Sequence, residues 1–156
     1  MNRPIITNAK NSMYLHMGVH VFSFLIKGSD TAGKFSMMHI QIRKGFEPPP
    51  HTHTRESESF YILEGCIRFS TGEEVFEANP GDFVYLPKNV QHRWESLTEI
   101  SKVLVILVPA GLEDLFIQFS QPTADSNLPP VPETPPSNEF MQKFVTSLTQ
   151  DYGVIM

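Results

Sequence analysis

Cysteine is all but missing from this 156-residue chain: Cys66 stands alone, so no internal disulfide can form, and the sequence fits a reducing, cytoplasmic setting. Basic residues are also scarce, with twelve Lys and Arg against seventeen Asp and Glu and a formal charge of -5. They are scattered, which removes the electrostatic footprint that a nucleic-acid partner requires. No apolar run approaches the roughly 18 residues of a membrane span. At the N-terminus Thr7, Asn8, Lys10, Asn11 and Ser12 interrupt any signal-peptide pattern, so neither a membrane nor a secretory role is expected. The length suits one domain that buries about two-thirds of its unfolded surface.

What the chain does have is a series of short β-prone segments, at 19–26, 35–43, 59–63, 66–70, 74–78, 83–86, 92–96 and 100–108, separated by turn residues. That spacing predicts an all-β antiparallel sandwich or barrel. Glu64-Gly65, Thr71-Gly72 and Asn79-Pro80-Gly81 mark the bends, and a tight hairpin is expected at 70–73. Beyond Pro109, Leu112, Leu115, Phe116 and Phe119 recur at helical spacing and predict a short amphipathic helix over 111–119. Residues 121–136 hold six of the thirteen prolines and read as an irregular connector. A second helix is expected over 138–151, with Ser137 as N-cap, Gly153 past its end and an apolar stripe of Phe140, Phe144 and Leu148. Packing accounts for both aromatic stripes. The chain thus divides into an N-terminal arm (1–17), a barrel (18–109) and a helical tail (110–156).

The chemistry concentrates in two stretches. In an extended strand residues two apart share a face, so His51 and His53 aim both imidazoles at one point. Glu58, five residues beyond His53, leaves room for a turn that returns a carboxylate, and His92 comes from a separate hairpin. Three imidazoles and one carboxylate suit a borderline divalent transition metal (Fe, Mn, Ni, Co, Cu or Zn) rather than Ca or Mg. Glu56 sits only three residues past His53, too soon for the turn, and is expected to be exposed. His16 and His20 have no motif support as ligands. His39 and Gln41 alternate with Met38, Ile40 and Ile42, and their polar face could line a cavity. Phe60, Ile62 and Trp94 share the strand parity of Glu58 and His92 and are candidates for an apolar cavity wall. Cys66, beside Gly65 at a strand end, reads as a buried structural thiol.

Gly45, His51, His53, Glu58 and Gly65 meet every position of the first motif of the cupin superfamily, and Gly81, Pro87 and His92 meet its second, so the chain resembles that family. Asn89 stands where the family usually has glycine and Ser96 where it has asparagine. Asparagine tolerates the left-handed conformation, and Ser96 is not a ligand position, so neither departure disturbs the metal reading. Residues 30–36 and 108–113 resemble the entry to and exit from the barrel in single-domain cupins similar to quercetin dioxygenases. The likeness covers roughly residues 14–120. It implies a double-stranded β-helix, or jelly-roll barrel, with a short C-terminal helical tail, and by family habit a homodimer.

Four protein ligands leave about two positions of an octahedral metal open for a small-molecule substrate and dioxygen. Neutral imidazoles and one carboxylate leave a net charge of about +1 on a divalent centre, which favours an enolate, phenolate or carboxylate donor. The resemblance implies ring-cleaving dioxygenation of a flavonol-like or other enolisable compound, with Glu58 as the catalytic proton acceptor. Two other classes stay open: an oxygen-independent isomerase, decarboxylase or lyase using the same ligands as a Lewis-acid site, and a non-catalytic small-molecule-binding module.

Overall fold

The computed structural model describes residues 4–156, so the first three positions of the expected arm lie outside the described residues. In chain order the strands are β1 (Tyr14–Met17), β2 (His20–Ile26), β3 (Ser36–Arg43), β4 (Thr52–His53), β5 (Ser57–Glu64), β6 (Ile67–Thr71), β7 (Glu74–Ala78), β8 (Phe83–Leu86), β9 (Arg93–Ser96), β10 (Ile100–Val108), β11 (Gln121–Thr123) and β12 (Val154–Ile155). The helices are α1 (Gly28–Thr31), α2 (Glu113–Gln118) and α3 (Asn138–Thr146), the last continuing into a π-helical turn at Ser147–Asp151. No helix among the described residues is long and apolar enough to cross a membrane.

Strand alternation builds the two layers. On β3, Met38, Ile40 and Ile42 are buried while the residues between them are half-buried, the period-2 pattern of a strand with one face on a core. The large sheet runs β11-β1-β2-β3-β10-β5-β8 and the small one β7-β6-β9, with all pairings antiparallel. Their inner faces meet in a core in which Phe60 of β5 lies edge-on to Phe69 of β6 at 5.2 Å between centroids. This is the predicted jelly-roll barrel. The hairpin closes one residue later than expected, with Thr71 opposite Glu74 and Gly72 left-handed at φ 59°.

The tail packs on the barrel. Leu112 and Leu115 are buried, and Phe116, Phe119, Phe144 and Leu148 rest against the core. Ser137 caps α3 by accepting a hydrogen bond from the Phe140 N–H at 3.2 Å. Glu113, itself buried, accepts from Gly28 N–H (2.8 Å), the Ser36 hydroxyl (3.0 Å) and Gly111 N–H (2.6 Å). That carboxylate ties the β2–β3 connection and the start of β3 to the segment that follows β10.

Three short strands fall where none was expected. The arm supplies β1, which pairs with both β2 and β11. β11 begins the proline-rich stretch, and Pro122 is tolerated there because β11 is a sheet edge. β12 returns the chain's last turn to β4. Cys66 is half-buried rather than buried, because it stands in the loop between β5 and β6 and not inside a strand.

Candidate metal centre

Local backbone geometry brings the two histidine stretches together. His51 N–H donates to His92 O and His92 N–H to His51 O, both at 2.9 Å, a reciprocal bridge that fixes the stretches against each other. Asn89 adopts the left-handed conformation at φ 65°, and its N–H donates to His53 O at 2.7 Å. Glu58 enters from β5, opposite Leu86 and Leu107. His51, His53, Glu58 and His92 are all buried, and their donor atoms lie within 4.8 Å of one another.

Each imidazole is held through Nδ1. His51 Nδ1 lies 2.8 Å from Pro49 O, His92 Nδ1 3.1 Å from Val90 O, and His53 Nδ1 2.5 Å from Glu56 Oε1. With a proton on each Nδ1, every Nε2 presents its lone pair to the centre. There His53 Nε2 and His92 Nε2 stand 3.7 and 3.5 Å from Glu58 Oε2, too long for hydrogen bonds. All three of these atoms are buried without a hydrogen-bond partner. Orphaned buried polar atoms are costly, and three that converge on one point fit a divalent cation.

The electrostatics agree with that fit. Burial alone would raise the Glu58 pKa, but the surrounding imidazoles of His92, His53 and His51 hold it below the ordinary carboxylate range. Burial lowers the His51 pKa and keeps that ring neutral, as a metal ligand must be. Burial also opposes charge on His53, but Glu56 and Glu58 outweigh it and raise that pKa, so proton and metal compete for the same Nε2.

Two expectations need correction. Glu56 is buried, not exposed: the bend at 54–55 turns its carboxylate back onto His53 Nδ1. A carboxylate inside the segment joining two ligands was the available signal. His39 and Gln41 do not face the interior. The apolar members of β3 do, and Gln41 Nε2 instead donates to Ser126 O of the connector at 2.7 Å. The more apolar face of a two-faced strand takes the core. Phe60 and Ile62 do point inward and are fully buried, with Trp94 half-buried 5.7 Å from Phe60 between ring centroids. His16 and His20 lie outside the cluster. Two surface hollows, one lined by Phe76 to Ala78 and Asp82 to Tyr85, the other between α2 and α3, also lie away from it.

The fold is that of a cupin barrel. Residues 38–108 match the family described as "Cupin domain", a stretch that contains all four convergent side chains. The chain is similar to quercetin 2,3-dioxygenase of Bacillus subtilis (strain 168), at 27% identity over 119 residues that cover 76% of this chain and 35% of that protein. It is likewise similar to quercetin 2,3-dioxygenase of Aspergillus japonicus, at 23% identity over 136 residues, covering 82% of this chain and 39% of that protein. It therefore spans little more than a third of the length of these curated relatives. An RmlC-like cupin from Shewanella frigidimarina NCIMB 400 shares the fold, with TM-score 0.60 and 18% identity over 72% of this chain and 96% of that one.

Proposed function

We propose that this cupin is a metal-dependent dioxygenase that oxidises a flavonol-like or other enolisable small molecule, with His51, His53, Glu58 and His92 as metal ligands. The observation that carries the reading is the convergence of three orphaned buried donor atoms, His53 Nε2, His92 Nε2 and Glu58 Oε2. The similarity to two quercetin 2,3-dioxygenases supports the choice of chemistry. When bound, a redox-active divalent ion supplies the electronic link between an enolate and dioxygen.

The chain's own groups define the rest. Glu58 is held as the ionised carboxylate by its imidazole neighbours, so it would accept the enol proton as the substrate binds, at the expense of its hold on the ion. Glu56 is a second buried carboxylate beside the cluster, so a divalent ion there is close to neutralised rather than left at about +1. That balance favours a substrate arriving protonated and leaving its proton on Glu58, over one arriving as an anion. We assign to Phe60 and Ile62 of the core, with Trp94 packed against it, the apolar wall that would keep water from the reacting enolate.

The test is elemental analysis of protein purified without chelator or affinity metal, beside His51→Ala/His53→Ala, followed by oxygen uptake with flavonols and enolisable diketones. The expected result is near-stoichiometric Fe, Mn, Ni, Co or Cu lost in the variant, turnover that stops without oxygen, and Glu58→Gln lowering turnover by about 10²- to 10⁴-fold. Turnover that continues without oxygen would point to Lewis-acid chemistry instead. Failure to bind any of these ions after reconstitution would sink the metal reading.

A further inference from the structure

Resting on that metal reading, we infer that Glu56 is a positioning residue for the centre: its carboxylate accepts a hydrogen bond from His53 Nδ1–H, aims Nε2 at the ion and strengthens it as a donor. The three histidines are held in two different ways. His51 and His92 each engage the carbonyl two residues earlier, Pro49 O and Val90 O. The equivalent carbonyl for His53 belongs to His51, and it already accepts the His92 N–H in the bridge that joins the two stretches. With that backbone acceptor committed, a side chain takes its place, and Glu56 is the one that turns in.

The contrast has chemical consequences. A carbonyl fixes a tautomer, whereas a carboxylate at 2.5 Å also pulls the Nδ1 proton toward itself and raises the basicity of the opposite nitrogen. His53 thereby becomes the strongest imidazole donor of the three. Burying a carboxylate is unfavourable unless it is paired, and the buried Glu56 is paired to His53. The bend at 54–55 that permits this is anchored on its far side, where Thr54 N–H and the Thr54 hydroxyl donate to Gly153 O at 3.2 and 2.6 Å.

The test compares the full chain with Glu56→Gln and Glu56→Ala, measuring Zn(II) and Co(II) affinity by competition with a chromophoric chelator and recording the Co(II) visible spectrum. Glu56→Ala is expected to weaken both ions about 10- to 100-fold, and Glu56→Gln, which can still accept the bond without a charge, to fall between it and wild type. The Co(II) bands should shift in the same order. Affinities within about threefold of wild type for both variants, with unchanged bands, would overturn the assignment and leave Glu56 a packing residue. Should either variant fail to fold, proton NMR of the Zn-loaded wild-type chain decides. A far-downfield, slowly exchanging His53 Nδ1–H supports the bond to a carboxylate, and its absence overturns it. A wild-type chain that binds neither ion sinks the metal reading itself, whereas binding that the variants leave unmoved sinks this inference alone.

Discussion

His20 shows how a buried histidine can be occupied without being a ligand. Its Nε2 lies 3.1 Å from Phe46 O, and its Nδ1 accepts the Arg43 N–H at 3.2 Å, so the neutral Nε2–H tautomer satisfies both partners. Protonation would put a second hydrogen where Arg43 already donates. Burial is the main cause of a pKa held below 6.5, only partly offset by the Phe46 carbonyl. Because the folded state resists a proton that the unfolded state accepts near pH 6.5, His20's contribution is complete above that pH and is lost as pH falls below it. The expected outcome, with chelator present, is a urea midpoint that drops between about pH 7.5 and about pH 5.5, and drops less in His20→Gln. An amide supplies one donor and one acceptor without titrating. Burial lowers His39 and His51 in the same direction, so the quantity to read is the difference between variant and wild type. Equal slopes would refute the role given to His20. At this scale the four convergent residues were legible because strand parity and motif spacing fix which side chains share a face. Glu56 was not, because its inward turn depends on the bend at 54–55 and on a carbonyl already taken by His92, neither of which the order of residues reveals.

β4 is only two residues long, too short to hold a ligand strand by itself, and its partner β12 comes from the far end of the chain. Val154 lies opposite His53 and is buried in the core, while the Arg55 guanidinium donates to Asp151 O. Gly153 makes this docking possible. It is left-handed at φ 72°, and a Cβ there would meet Thr54 Oγ1 at 2.6 Å and Arg55 Nε at 2.9 Å. Gly153→Ala should therefore cost about 1–2 kcal/mol through handedness, and more through the clash. It should also quicken amide exchange at Thr54 and weaken metal binding. Gly72→Ala is the control, since that glycine is also left-handed, at φ 59°, with nothing within 4 Å of the added carbon. It should lose stability and keep its metal affinity. If Gly153→Ala behaves like Gly72→Ala in exchange and affinity, the tail does not support the ligand strand. A two-residue strand made by distant segments has no periodicity to read, which is why β4–β12 escaped sequence reasoning while β7, β8 and β10 fell at their expected limits.

Across the whole molecule, the legible part of the fold is the part in which each strand has its own apolar face: the bounds of β2, β3, β5, β6 and β9 shift by at most two residues from expectation. What escaped was the set of edge and closing strands, whose pairing is decided by neighbours rather than by alternation. The same division applies to stability. The hydrophobic core is complete without the site, yet the site leaves three buried polar atoms unpartnered at the barrel's centre, each costing on the order of 1–3 kcal/mol. An ion that satisfies them binds the folded chain and not the unfolded one, so metal should stabilise the whole barrel by mass action. At a free metal concentration about 100 times Kd the gain is about 2.7 kcal/mol. For a chain of this size that is a rise in Tm of about 5–10 °C, read by calorimetry with and without chelator. His92→Ala should abolish the rise, because it removes one of the orphaned donors and a buried member of the cluster. If saturating Fe(II), Mn(II), Ni(II), Co(II), Cu(II) and Zn(II) all leave Tm unmoved in the wild type, the convergence of these atoms has another cause. A rise that persists in His92→Ala would place the stabilising ion somewhere other than this cluster.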